Sequence, residues 1–210
     1  QQTFNMGGPY KNQIQFFDAN IGVASSGRNF YKTTDGGSSW TTTELKNSES
    51  NTSVQNLFFI DSKIGWLVGD RGFITKTIDG GTTWVNQTSG ITNDLLDIYF
   101  IDSNYGWAVG ENGTILESRD GGSNWKSLSS GITSSLEGIH MYNTTTGWIV
   151  GKTGVILKYS DTTSPTVTSV SSTATDSTYG IGSVIPITVT FDESVIVTDN
   201  PQLTLETGDT

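Results

Sequence analysis

The chain has 210 residues, 33% of them hydrophobic, with 25 glycines, six tryptophans, no cysteine and a formal net charge of −10. That length suits one large or two modest domains. The missing cysteine excludes a disulfide framework and thiolate metal sites, and the acidic surface makes nucleic acid an unexpected partner. No run approaches eighteen apolar residues, so no membrane-spanning helix is expected.

In chain order, Gln1-Gln2-Thr3 would suit a mature terminus left after signal cleavage. Residues 1–13 are too short for a full unit, and Phe4 sits where an outer strand would carry an aromatic. From Ile14 a unit of forty-odd residues begins and recurs. Gly22, Gly65, Gly106 and Gly147 are 43, 41 and 41 apart, and Asp35, Asp79 and Asp120 are 44 and 41 apart. A period in that range predicts propeller blades, small sheets that cannot bury their faces alone. The blades are expected at about 14–56, 57–94, 95–135 and 136–161.

The third copy shows the internal plan. Residues 95–101 alternate apolar and mixed positions, as a strand packed between neighbours does. A turn at Asp102-Ser103-Asn104 leads to strand two at 106–109. Glu111-Asn112-Gly113 reads as a hairpin turn tolerant of positive φ, and 114–118 is strand three. Asp120-Gly121-Gly122-Ser123-Asn124 turns again, and Trp125 opens an outer fourth strand. The fourth copy lacks that last strand, which the N-terminal piece could supply to close the ring and protect the sheet edges.

A composition break falls near Asp161. All eleven Lys and Arg precede it, while residues 161–210 hold seven acids and no base. Residues 184–191 then alternate strictly, and further short strands are expected at 194–198 and 202–205.

Three motifs carry resemblances. Thr33-x-Asp35-x-Gly37-x-Ser39-Trp40, Thr77-x-Asp79-x-Gly81-x-Thr83-Trp84 and Ser118-x-Asp120-x-Gly122-x-Asn124-Trp125 resemble the Asp-box of sialidase-type (BNR) repeats. In such a box the carboxylate accepts N–H groups of its own turn, glycine supplies unusual dihedrals and tryptophan packs over the hairpin. The longer pattern D-x-x-x-GW-x-VG-x-x-G-x-I-x-x-(S/T)-x-DGG-x-x-W resembles the photosystem II assembly and stability factor propellers over about residues 14–161. That resemblance implies a non-enzymatic, seven-bladed propeller that binds another protein; this chain offers four repeats. Residues 161–172 and 184–195 resemble the start of a bacterial Ig-like repeat, which implies a multidomain chain continuing past Thr210.

The fold expected is thus all-β: a β-propeller over 1–161, then an incomplete Ig-like β-sandwich over 162–210. The function expected is non-catalytic binding or scaffolding of a protein or glycan, secreted or at the cell surface. The turns between strands two and three are the candidate rim, with Arg28, Asp70, Arg71, Glu111, Asn112 and Lys152 as ligand-binding candidates.

No catalytic residue, cofactor or metal is expected. His140 is the only histidine, and Asp192 beside Glu193 alone does not make a calcium site. Trp66, Trp107 and Trp148 recur at one inner-strand position and are expected in the core. One alternative is a sialidase- or xyloglucanase-like glycoside hydrolase, which needs paired carboxylates off the repeat register. The only arginines, Arg28, Arg71 and Arg119, do not share one role. The other alternative is a photosystem II assembly factor-like protein-binding propeller.

Overall fold

The computed structural model describes residues 6, 11–45, 53–161, 167–174 and 184–191. The chain divides into two compact units, Gln1–Asp161 and Thr162–Thr210. The first unit is a row of antiparallel sheets with strands in sequential order. Blade one contains β1 (Asn12–Phe16), β2 (Gly22–Ser26), β3 (Asn29–Thr33) and β4 (Thr41–Glu44). Blade two contains β5 (Val54–Phe59), β6 (Gly65–Gly69), β7 (Ile74–Thr77) and β8 (Val85–Gln87). Blade three contains β9 (Leu95–Phe100), β10 (Gly106–Gly110), β11 (Ile115–Ser118) and β12 (Lys126–Leu128). Among the described residues blade four has three strands, β13 (Leu136–Asn143), β14 (Thr146–Gly151) and β15 (Ile156–Ser160).

The repeated glycine at the start of strand two has a steric cause. Gly22, Gly65, Gly106 and Gly147 pair across the ladder with Phe16, Phe59, Phe100 and Met141. Each large side chain lies over its glycine, so a Cβ at Gly106 would collide with the Phe100 ring. The first strands β1, β5, β9 and β13 pack successively against one another.

Each apolar cluster is the seam between two consecutive blades. Val23 and Phe30 of blade one meet Val54, Leu57 and Phe59 of blade two. Trp66, Val68 and Ile74 of blade two meet Leu95, Ile98 and Phe100 of blade three. Trp107, Val109 and Ile115 of blade three meet Leu136, Ile139 and Met141 of blade four. A sheet with two apolar faces is stable only when both are covered, which ties blade to blade.

Two expectations change. Trp66 and Trp107 are fully buried, but Trp148 is 44% exposed, with nothing among the described residues packed on its face of blade four. Blade one starts at Asn12 rather than Ile14, so Asn12 and Gln13 belong to β1. The proposed closing strand around Phe4 lies outside the described residues; Met6 sits by blade one, its carbonyl accepting the Tyr31 hydroxyl at 3.0 Å.

In the second unit, β16 (Val167–Ser172) and β17 (Ile187–Phe191) pair antiparallel. The strands expected at 194–198 and 202–205 lie outside the described residues.

Candidate functional site

The aspartates of the turns between strands three and four are bound by their own turns. In the box of blade two, Asp79 accepts the Thr83 N–H at 2.9 Å and the Thr83 hydroxyl at 2.6 Å, and the Thr77 hydroxyl reaches Asp79 at 2.8 Å. The Thr77 hydroxyl also accepts the Gly81 N–H, and the Trp84 indole N–H donates to the Gly81 carbonyl. Asp35 and Asp120 repeat this with Ser39 and Asn124.

These donors hold the Asp35 and Asp79 carboxyls down to about 2. Partial burial works against the donors at Asp120, whose carboxyl nevertheless stays below its usual value. In the 1–2 turns, Asp18, Asp61 and Asp102 each accept two backbone N–H groups. The 1–2 turn carbonyls in turn accept the N–H of Gly36, Gly80 and Gly121, docking box on turn.

The opposite edge carries the 2–3 turns. In blades two to four these are single 3-10 turns, Asp70–Gly72, Glu111–Gly113 and Lys152–Gly154, rather than plain hairpin loops. Arg71, Asn112 and Thr153 occupy the left-handed region at φ 56, 54 and 59. For a β-branched residue such as Thr153 that conformation is costly. Gly113 follows at φ +67, and a Cβ there would run into the Ile132 carbonyl, so the connecting loop packs directly on the turn.

The candidates divide by use. Asp70 accepts the Ser53 N–H and the Gln55 amide, so it ties its turn to the start of β5. The Arg71 backbone N–H donates to Asp94, leaving its side chain on the exposed rim. Asn112 is exposed beside Asn93, Glu111 is half-buried, and Lys152 lies 3.9 Å from Glu137. Arg28 lies 3.6 Å from Glu44 in blade one.

Two recesses of about 330 and 380 Å³ repeat along this edge. The first runs between Arg71 and the loop Ser89-Gly90-Ile91, the second between Asn112 and Ser130-Gly131-Ile132. Each holds one candidate, so the six residues do not converge on a common pocket. Among the described residues no three His, Asp or Glu side chains group as metal ligands would.

The sequence reading missed two carboxylates, Asp97, which is half-buried, and Glu117, which is buried. Asp97, on β9, accepts the Ile98 N–H, the Ile139 N–H of blade four at 2.7 Å and the Asn56 amide of blade two. Burial pushes its carboxyl above the usual value, against the pull of those donors. Glu117 sits between Arg119, at 3.3 Å, and the Tyr159 hydroxyl, while Arg119 also reaches Asp161 at 2.7 Å. Burial first, then the Glu117 charge, push the Tyr159 phenol up to about 12. Asp97 falls on the mixed positions of its strand and gave no local signal; for Glu117 the available one was an acid where the other repeats carry Lys32, Lys76 and Lys158.

The family profile described as photosynthesis system II assembly factor YCF48 matches residues 84–170. Among solved structures, YCF48 from Cyanidioschyzon merolae is 23% identical with a TM-score of 0.59, over 70% of this chain and 49% of that one. A structure of YCF48 bound to D1 peptide is 17% identical with a TM-score of 0.54, over 79% of this chain and 61% of that one. The GH74 enzyme of Niastella koreensis is 17% identical with a TM-score of 0.52, over 68% of this chain and 27% of that one. No curated protein matches the sequence. This chain spans about half to three fifths of the YCF48 chains it resembles, and the likeness is one of fold: the first unit is a BNR-type propeller built from all-β, antiparallel blades.

Proposed function

We propose that the chain is a non-catalytic propeller that binds a segment of another protein, closer to an assembly factor than to a hydrolase. The observation that carries this is the use of its acids: the repeated aspartates are occupied by backbone and hydroxyl donors of their own turns, whereas glycosidase chemistry needs two carboxyls facing one bond. The similar YCF48 structure with a bound D1 peptide supports a peptide ligand.

The binding surface in this reading is the 2–3 turn edge, where an extended segment crosses successive recesses past Arg71 and Asn112. Polar side chains at equal intervals suit a ligand held through its backbone. The second unit, read as the start of an Ig-like sandwich, supports a multidomain setting at the cell surface, which fractionation of the tagged protein tests.

Titration with fluorescein-labelled D1 peptide, followed by anisotropy, tests the binding. Saturable binding weakened about tenfold in Arg71→Ala and in Asn112→Ala is expected, the size of one good interface contact. Binding unchanged in both variants moves the site elsewhere, and reducing sugar released from xyloglucan would turn the reading toward a hydrolase.

A further inference from the structure

The seam between blades one and two is built differently from the next one along. Between blades two and three, the Gln87 amide lies over Gly122 and donates to the Gly121 carbonyl at 3.3 Å. Its counterpart in blade one is the shorter Thr43, and the Phe30 ring lies over Gly81 instead. A recess of about 360 Å³ opens there between β4 of blade one and β7 and β8 of blade two. Leu45, Phe73 and Trp84 give it apolar walls, and Thr43, Glu44, Thr82 and Asn86 edge it with hydroxyl, carboxylate and amide groups. Its size falls at the lower end of the roughly 300–1,000 Å³ of small-molecule sites.

Thr75 also lines the recess, and its chemistry is unlike that of its counterparts. It pairs across the ladder with Leu67, which packs in the seam with blade one, so the Thr75 side chain faces that seam. Thr75 is 0% exposed, and its hydroxyl has no hydrogen-bond partner among the described residues. The same position holds Leu116 in blade three and Leu157 in blade four, while Tyr31 in blade one has the Met6 carbonyl for its hydroxyl. A buried hydroxyl without a partner costs stability that an aliphatic side chain of the same size does not. A ligand that pairs the hydroxyl accounts for its place here.

We propose that this recess holds one pyranose ring of a neutral glycan. Sugar hydroxyls both donate and accept, so they pair with the Thr43, Thr75 and Thr82 hydroxyls and the Asn86 amide. The apolar face of the ring packs against Trp84 and Leu45. Binding turns the Thr75 hydroxyl onto a hydroxyl of the sugar. The one charged lining residue, Glu44, is matched by Arg28 at 3.6 Å, so the ligand needs no charge of its own. The site is separate from the peptide-binding reading, because Arg71 and Asn112 do not line it.

Saturation-transfer NMR on the full chain tests this with methyl β-glucopyranoside and methyl β-galactopyranoside, and with glucuronate as the anionic control. Transfer to the neutral glycosides and movement of the Trp84 indole N–H resonance are expected, with no transfer to glucuronate. Thr75→Val keeps the shape and removes the hydroxyl; it should weaken binding about tenfold, while its urea midpoint stays at or above wild type. Thr43→Gln gives blade one the side chain that blade two carries, and should fill the recess and abolish transfer. Asn112→Ala should bind the glycosides as wild type does, so failure of the peptide titration and failure of this site are read apart.

No transfer to either glycoside at about 50 mM overturns the proposal, and so does transfer that Thr75→Val and Thr43→Gln leave unchanged. A Thr75→Val protein less stable than wild type overturns it too, since the hydroxyl would then have a partner inside the fold. Loss of D1-peptide binding in Thr75→Val, without any sugar signal in wild type, would give the recess to the protein ligand instead.

Discussion

The repeated aspartates and Asp97 are the same side chain in opposite settings. Asp79 is solvent-facing and surrounded by donors of its own turn, so its ionised form is favoured, with a carboxyl near 2 against an ordinary 3.8. A carboxyl lowered on folding contributes stability that is present above 3.8 and lost as pH falls through 2. Asp79→Asn is therefore expected to be less stable than wild type at pH 7, with the gap shrinking between about pH 4 and 2. Urea midpoints for both proteins across that range check it; a gap that does not change with pH would detach the turn from its charge. The role of Asp79 was legible because its donors lie within four residues along the chain. Asp97 was not, because its donors come from blades 41 and 42 residues away in sequence, and local alternation says nothing of what crosses a seam.

At the level of strands, the seam between blades three and four shows what happens when a repeat loses part of its pattern. Blade four ends at Asp161 without the two glycines whose carbonyl receives Lys76 one blade earlier. A lysine at position 117 would face no such acceptor. The chain carries Glu117 there, which Arg119 and the Tyr159 hydroxyl satisfy, and Arg119 binds Asp161 in turn. Removing one partner of a buried pair costs more than removing both, because the remaining charge is left uncompensated. Arg119→Ala is expected to destabilise by about 3 kcal/mol, and Glu117→Gln added to it should restore part of the loss. Chemical denaturation of the single and double variants measures this; a double variant worse than Arg119→Ala would reject the pairing. The strands themselves were readable from the glycine and aspartate spacings. This network was not, since position 117 acquires meaning only from the blade that follows.

Across the first unit the stabilising contacts run between neighbours, so the row is a chain of coupled blades rather than one shared core. Among the described residues its middle blades have both faces covered and its ends have one, which sequence periodicity could not reveal: Trp66, Trp107 and Trp148 look alike as letters and differ in what lies beyond them. Protection of backbone amides should follow that order, highest in blades two and three. Trp107 fills the seam to blade four, packing with Leu136, Ile139 and Met141 and meeting the Tyr159 ring edge-on at 5.9 Å. Its replacement by alanine leaves a cavity worth about 3 to 5 kcal/mol. In a nearest-neighbour row that loss falls on one coupling, so blade four opens separately while the seam of Trp66 with Phe100 keeps blades two and three together. Hydrogen exchange on Trp107→Ala should then show β13, β14 and β15 exchanging much faster, with β5, β6 and β7 close to wild type. Uniform loss across all four blades would mean that the unit unfolds as a single cooperative body, and that the seams are not independent.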